Sequence, residues 1–157
     1  MRQTNILVVF FTLALALVLQ LFPWSGLGIN LRPDFILVAL LYWVLRAPHL
    51  CNVGIAWLAG FLVDLASGSL LGQHALAFTI TAFLALLYQR RLVLFNRAQL
   101  AAYVLVLLLV ARMLILLLKL FAGNEAPDWR YLLPIISSML LWQLFVVLFG
   151  SPTRPKR

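Results

Sequence analysis

The sequence predicts an all-α polytopic membrane protein with six transmembrane helices, forming one integral membrane domain over residues 1–157. Of the 157 residues, 65% are hydrophobic and only 10% are charged, and the mean hydropathy is +1.07. Soluble domains contain about 45–50% apolar and about 25% charged residues. Apolar runs follow one another with short polar breaks between them. Six helices of about 20 residues use roughly 120 positions, which leaves no room for a soluble catalytic domain.

The first two predicted spans cover residues 6–22 and 35–47. The start of the chain resembles a signal peptide, with Ala14-Leu15-Ala16 as a small-residue cleavage site. The apolar run continues past that site, so we expect an uncleaved first span. The apolar part of the second run extends over only about 17 Å, less than the ~30 Å hydrocarbon layer. We therefore expect this span to be short, to tilt or to thin the bilayer.

The remaining spans are predicted at residues 50–66, 73–89, 98–121 and 131–149. The fifth run is the longest and contains Arg112. The fourth run has a face of small residues, which suits either tight packing in the core or dimerisation of the chain. This face consists of Ala75, Thr79, Thr81, Ala82 and Ala85.

The basic residues predict an orientation with both termini in the cytoplasm. The net charge is +8, from twelve Lys and Arg against four acidic residues. Most basic residues lie at the ends of apolar runs, which indicates contact with membrane lipids rather than with nucleic acid. The inner side receives Arg2, Arg46, Arg90, Arg91, Arg97, Arg154, Lys156 and Arg157. The outer side receives only Arg32, Lys119 and Arg130.

The sequence does not indicate an enzyme, a cofactor or a metal site. The two histidines, His49 and His74, are predicted in different loops, and HExxH, GxSxG and P-loop motifs are absent from the sequence. Asp64, Ser67 and His74 are close in sequence, but this spacing has almost no specificity for a catalytic triad. The single cysteine, Cys51, excludes an internal disulfide bond.

The most informative segment lies at the predicted outer end of the third span, from Gly60 to Gly72. It reads Gly60-Phe-Leu-Val-Asp64-Leu-Ala-Ser67-Gly68-Ser69-Leu-Leu-Gly72. Gly60 and Asp64 are one helical turn apart, so they share a face that permits close helix approach and presents a carboxylate. An acidic residue in a membrane segment suggests a partner contact. The alternative is that Asp64 is solvated or binds the amides of the Ser67-Gly68-Ser69 turn.

Arg112 is a candidate partner for Asp64. A lone arginine in the membrane costs about 2.5–3.5 kcal/mol on insertion scales, so a partner is expected. An outward-leaning Arg112 side chain could approach the depth of Asp64. The alternative is that Arg112 extends alone to the lipid headgroups.

The first half of the chain resembles the MreD family of rod shape-determining proteins of Gram-negative bacteria. The resemblance depends on the second-span motif Arg32-Pro33-Asp34 with Tyr42-Trp43, on Ala47-Pro48-His49 and Asn52-Val53-Gly54, and on the Gly60 to Gly72 segment with Asp64, Ser67 and Gly68. It is close over residues 23–76, whereas the second half matches mainly by hydropathy and spacing.

The resemblance implies a non-enzymatic inner-membrane component of the cell-elongation machinery that regulates peptidoglycan synthesis. Such proteins bind bitopic MreC and, with it, link MreB filaments to RodA and its transpeptidase partner. The family's fold is similar to that of the substrate-binding subunits of energy-coupling-factor transporters, so the alternative is a subunit that binds a small vitamin-like ligand. A scaffold predicts a dry interior, whereas a ligand-binding subunit predicts an outward cavity with a polar lining.

Overall fold

The computed structural model describes residues 5–23, 32–92, 94–123, 125, 128–150 and 152. This part of the chain forms six α-helices and one 3-10 helix, and it contains no strand. In chain order they are α1 (Ile6–Leu21), α2 (Phe35–Arg46), α3 (Val53–Ser67), α4 (Gln73–Leu92), α5 (Arg97–Phe121), the 3-10 helix (Trp129–Leu132) and α6 (Leu133–Phe149). The six segments predicted as spans are therefore helical, and each end lies within three residues of its prediction.

Capping residues fix the helix ends that the hydropathy pattern placed less accurately. The third helix was predicted from residue 50 but begins at Val53, because Asn52 accepts hydrogen bonds from the amides of Gly54 and Ile55 at 3.0 and 3.3 Å. The same helix ends at Ser67 and is followed by Gly68, whose φ of 63° and ψ of 22° lie in the left-handed region that favours glycine.

Helix α2 is the centre of the bundle. Every residue from Ile36 to Leu45 is at most 3% exposed, and the helix packs against α1, α4 and α6. Its 12 residues extend over about 18 Å, which agrees with the short second run. The structure gives a reason that the sequence could not show: neighbouring helices enclose α2, so its length need not match the thickness of a bilayer.

Helices α3 and α4 form a closely packed hairpin around Gly60. A Cβ atom at Gly60 would lie 2.5 Å from both the Cα of Ala75 and the carbonyl oxygen of His74, so the close approach requires glycine. Four of the five residues of the predicted small face of α4 are buried inside the bundle, and the fifth, Thr79, is half-buried. The four buried residues are Ala75, Thr81, Ala82 and Ala85, each at most 1% exposed. Core packing is therefore confirmed for these four residues.

Two segments at the end of the chain are long and apolar enough to cross a membrane, judged by length and composition. They are Arg97–Phe121 and Trp129–Phe149, whose most apolar windows are only 28% and 22% buried in the bundle. Their outer faces expose large apolar side chains such as Leu140 and Val147. Surfaces of this kind need lipid or another apolar partner to cover them.

Candidate functional site

A polar cavity of about 440 Å³ lies at one end of the bundle. It is formed where α1 and α3 end and where α2, α4 and α6 begin. Its lining consists of Gln20, Leu21, Arg32, Asp34, Val63, Ser67, His74, Arg112, Asp128, Arg130, Tyr131 and Pro134. The sequence placed most of these residues near the outer side, and the structure brings them together around one space. We call this space the polar cavity.

Asp64 lies beside the polar cavity and holds the beginning of α4. Its side chain is fully buried. The carboxylate accepts hydrogen bonds from the amides of Gly72, His74 and Ala75 at 3.0–3.2 Å, from the Ser69 hydroxyl at 2.9 Å, and lies 2.8 Å from His74 Nδ1. Amides at a helix N-terminus lack partners within the helix and favour negative charge. The side chain of Asp64, which belongs to α3, therefore caps the N-terminus of α4.

This geometry decides between the interpretations of Asp64. The carboxylate is buried and therefore not solvated. Its backbone donors are the amides of Gly72, His74 and Ala75, and not the amides of the Ser67-Gly68-Ser69 turn that the alternative predicted. Gly68 and Gly72 shape the connection with φ values of 63° and 94°. The segment from Gly60 to Gly72 is thus a helix–turn–helix unit whose carboxylate is occupied within the chain.

The predicted ion pair between Asp64 and Arg112 is wrong. Arg112 Nε lies 2.8 Å from Asp34 Oδ2, at the start of α2, and both side chains are no more than 15% exposed. Both carboxylate oxygens of Asp64 instead accept hydrogen bonds from amides at the start of α4. The alternative, in which Arg112 extends alone to the headgroups, is also wrong, because the chain supplies a carboxylate.

The Asp34–Arg112 pair joins α2 to α5 and α6. The Asp34 amide donates to Ser138 Oγ of α6 at 2.9 Å. The Arg112 guanidinium lies 5.2 Å from the centroid of the Tyr131 ring, a cation–π contact. Although Arg112 Nε is close to Asp34, its N–H is not directed at that oxygen and has no hydrogen-bond partner in the described residues.

The remaining motif residues, Tyr42 and Trp43, lie at the opposite end of α2. Tyr42 donates its hydroxyl hydrogen to the Gly150 carbonyl at 2.8 Å, and Arg46 donates to the Phe149 carbonyl at 2.7 Å. These bonds satisfy carbonyl groups at the end of α6. Trp43 Nε1 donates to Thr12 Oγ1 of α1 at 2.8 Å.

The sequence did not reveal the structural role of Arg46 or of His74. Arg46 was counted only as a determinant of orientation, and the signal that could have indicated more is its position one turn after Tyr42, at the end of a helix. His74 follows Gly72 by two residues, so the end of the turn places it at the N-terminus of α4, within reach of the Asp64 carboxylate.

The arrangement is suited to binding and to holding helices together. Asp64 and His74, two of the three residues of the triad pattern, are in hydrogen-bond contact. The third, Ser67, donates its hydroxyl hydrogen to the Val63 carbonyl at 2.6 Å rather than to His74. The hydroxyl is therefore not activated as in a catalytic triad. Within the described ranges, no group of three His, Cys, Asp or Glu side chains could hold a metal ion.

These features define an all-helical protein of membrane type, in which polar side chains near the helix ends join the helices to one another. The profile of the family described as "rod shape-determining protein MreD" matches residues 1–151. A rod shape-determining protein MreD of Haemophilus influenzae (strain ATCC 51907 / DSM 11121 / KW20 / Rd) is 33% identical over 146 residues, covering 89% of each chain. No solved structure matches significantly. The chain belongs to the MreD family of rod shape-determining membrane proteins.

The Asp34–Arg112 pair predicts the result of a charge-swap experiment. The single variants Asp34→Arg and Arg112→Asp each leave a largely buried charge uncompensated, at a cost of about 3–5 kcal/mol. Each should lower the amount of folded protein and its thermal stability in detergent. The double variant Asp34→Arg/Arg112→Asp should recover much of both.

The matched control is the double variant Asp64→Arg/Arg112→Asp, which should recover nothing. Recovery in this control, without recovery in the Asp34 double variant, would show that the ion pair had been assigned to the wrong carboxylate.

Proposed function

We propose that this chain is a non-enzymatic inner-membrane scaffold of the cell-elongation machinery. In this role it binds MreC and helps to couple MreB filaments to RodA and its transpeptidase partner, so that peptidoglycan synthesis maintains a rod shape. The observation that supports the proposal most strongly is membership of a family named for determining rod shape, over almost the whole chain. The polar contacts of Asp64, Asp34 and Arg46 add support, because they stabilise the helix bundle itself.

We further propose that all six helices cross the membrane, with both termini in the cytoplasm. The charge count supports this orientation through the excess of Lys and Arg on one side. Both terminal segments on which the count partly depends lie outside the described residues. Helices α1, α2 and α3 have 16, 12 and 15 residues, so they would cross only where neighbouring helices or a locally thinner bilayer compensate.

The surface that we assign to MreC is an apolar groove along α5. A concavity of about 480 Å³ is lined by side chains of α5, among them Val106, Leu109, Met113 and Leu117. Leu109 also lines a second concavity, of about 330 Å³, beside the 3-10 helix and the start of α6. Together they form a long apolar surface, which suits the single transmembrane helix of a bitopic partner.

A second candidate function is a small-ligand-binding subunit of a vitamin-type transporter, with a fold like that of energy-coupling-factor subunits. One observation favours it: a dry interior was predicted for a scaffold, whereas the structure contains the polar cavity. Co-purification from native membranes distinguishes the two functions. MreC and cell-wall synthases support the scaffold, and a bound vitamin or an ATP-driven module supports the transporter subunit.

The orientation can be tested by cysteine labelling, because the native cysteine should not react. Cys51 is fully buried, and burial raises the pKa of its thiol to about 12, so the reactive thiolate is scarce. In intact cells, an impermeant maleimide that reaches the periplasm should label Glu125→Cys. It should label His49→Cys only after the inner membrane is opened. The wild-type chain is the control for background labelling, and the reverse pattern would contradict the proposed orientation.

Binding to MreC can be tested by co-expression and site-specific photo-crosslinking. Tagged protein should retain MreC during purification in mild detergent, and a photoreactive residue at Met113 in the groove should crosslink to it. The same residue at Phe11, on the exposed face of α1, is the matched control and should not crosslink, because α1 packs against α2 and α3. Absence of MreC from the purified protein would refute the proposed partner. Crosslinking at Phe11 but not at Met113 would refute only the groove.

A further inference from the structure

Among the described residues that line the polar cavity, positive charges outnumber negative ones. Three arginines line it, Arg32, Arg112 and Arg130, against two carboxylates, Asp34 and Asp128, which leaves one positive charge in excess. The exposed residues Arg130 and Asp128 are 3.9 Å apart at their closest charged atoms. The excess therefore lies deeper in the cavity, where Arg32 and Arg112 have one carboxylate between them.

Arg32 also presents a hydrogen-bond donor without an acceptor. Its Nε atom is buried and has no hydrogen-bond partner in the part of the chain that the structure describes. The Nε atom of Arg112 lies 2.8 Å from Asp34 Oδ2, but it makes no directed hydrogen bond within the described residues. Unpartnered buried donors are costly, so they are rare in native proteins unless something else binds them. The two guanidinium groups approach the same space from different elements, one before α2 and the other in α5.

The electrostatics at Arg32 favour an anion. Burial lowers the pKa of Arg32, while nearby Asp34 acts in the opposite direction and the positive charge of Arg112 adds to the lowering. The guanidinium remains charged, because an arginine side chain is not deprotonated in proteins. An anion between Arg32 and Arg112 would relieve both the desolvation and the repulsion between the two cations.

We propose that the polar cavity binds a phosphate group, carried either by a lipid headgroup or by a soluble organic phosphate. Guanidinium groups match the geometry of phosphate, whose several oxygens can accept hydrogen bonds from Arg32 and Arg112 at once. The cavity volume of about 440 Å³ falls within the range of small-molecule sites, about 300–1,000 Å³. Leu21, Val63 and Pro134 add apolar lining, which suits the glycerol and first acyl carbons of a lipid.

This inference goes beyond the scaffold function and does not depend on it, since MreC is assigned to the groove on α5. It also differs from a vitamin site, because the recognised group is the phosphate and not an aromatic or ring system.

The experiment measures thermal stabilisation and binding by the purified full-length chain in a neutral detergent. The probes are short-chain phosphatidylglycerol, glycerol phosphate, and diacylglycerol of the same chain length, which has the tails but no phosphate. We expect phosphatidylglycerol to stabilise the protein in a saturable manner and diacylglycerol to have no effect. Binding of glycerol phosphate alone would identify a soluble phosphate as sufficient, whereas a requirement for the tails would identify a lipid.

Variants connect the binding to the cavity. Arg32→Gln should weaken binding of the phosphate probe roughly tenfold or more, because it removes a charged hydrogen-bond donor. Arg32→Lys keeps the charge and should bind with intermediate affinity, which keeps the test informative where Arg32→Gln lowers the yield. Arg91→Gln, exposed in the last turn of α4, is the matched control and should bind as the wild type does.

Two results would overturn the proposal. One is equal stabilisation by diacylglycerol and phosphatidylglycerol, which would assign the effect to the acyl chains. The other is unchanged phosphate binding in both Arg32 variants, which would place the site elsewhere on the protein.

Discussion

The buried carboxylate of Asp64 is the interaction on which the arrangement of the bundle depends. It accepts hydrogen bonds from the first amides of α4 while belonging to α3, so it fixes both the angle and the depth at which the two helices pack. The close contact between Gly60 of α3 and the backbone of Ala75 forms only when α4 lies at this depth and angle. The same carboxylate holds the ring of His74 beside the polar cavity. Loss of the negative charge would therefore affect helix packing and the cavity together.

Helix α2 is held at both ends by polar contacts of a similar kind. At the cavity end, Asp34 binds Arg112 and Ser138, while at the other end Arg46 and Tyr42 bind carbonyl groups at the end of α6. Between these ends α2 is enclosed by apolar side chains. Such contacts are directional, whereas apolar packing in a membrane discriminates weakly between helix partners. They select one arrangement of six helices among many that would cover the same apolar surface.

Hydropathy predicted the helices, because it depends on a property that repeats along the chain, and the motifs between Arg32 and Gly72 predicted the family. The sequence also identified Gly60, Asp64 and the Gly68–Gly72 connection as a unit. It did not assign the partners correctly, since Asp34 and Asp64 both lie at helix ends on the same predicted side, and depth alone cannot distinguish them as partners of Arg112. The polar cavity was not predicted for a scaffold, because its lining comes from many segments that are far apart in sequence.

The most direct test of this account is hydrogen exchange at the start of α4 in purified wild-type protein and in Asp64→Asn. Asparagine keeps the shape of the side chain but loses the charge and one acceptor, so buried amide donors lose a partner. Exchange at Gly72, His74 and Ala75 should accelerate roughly 10- to 100-fold, with lower thermal stability. The exposed carboxylate variant Asp128→Asn should change neither. Unchanged exchange and stability in Asp64→Asn would show that this carboxylate does not organise the bundle.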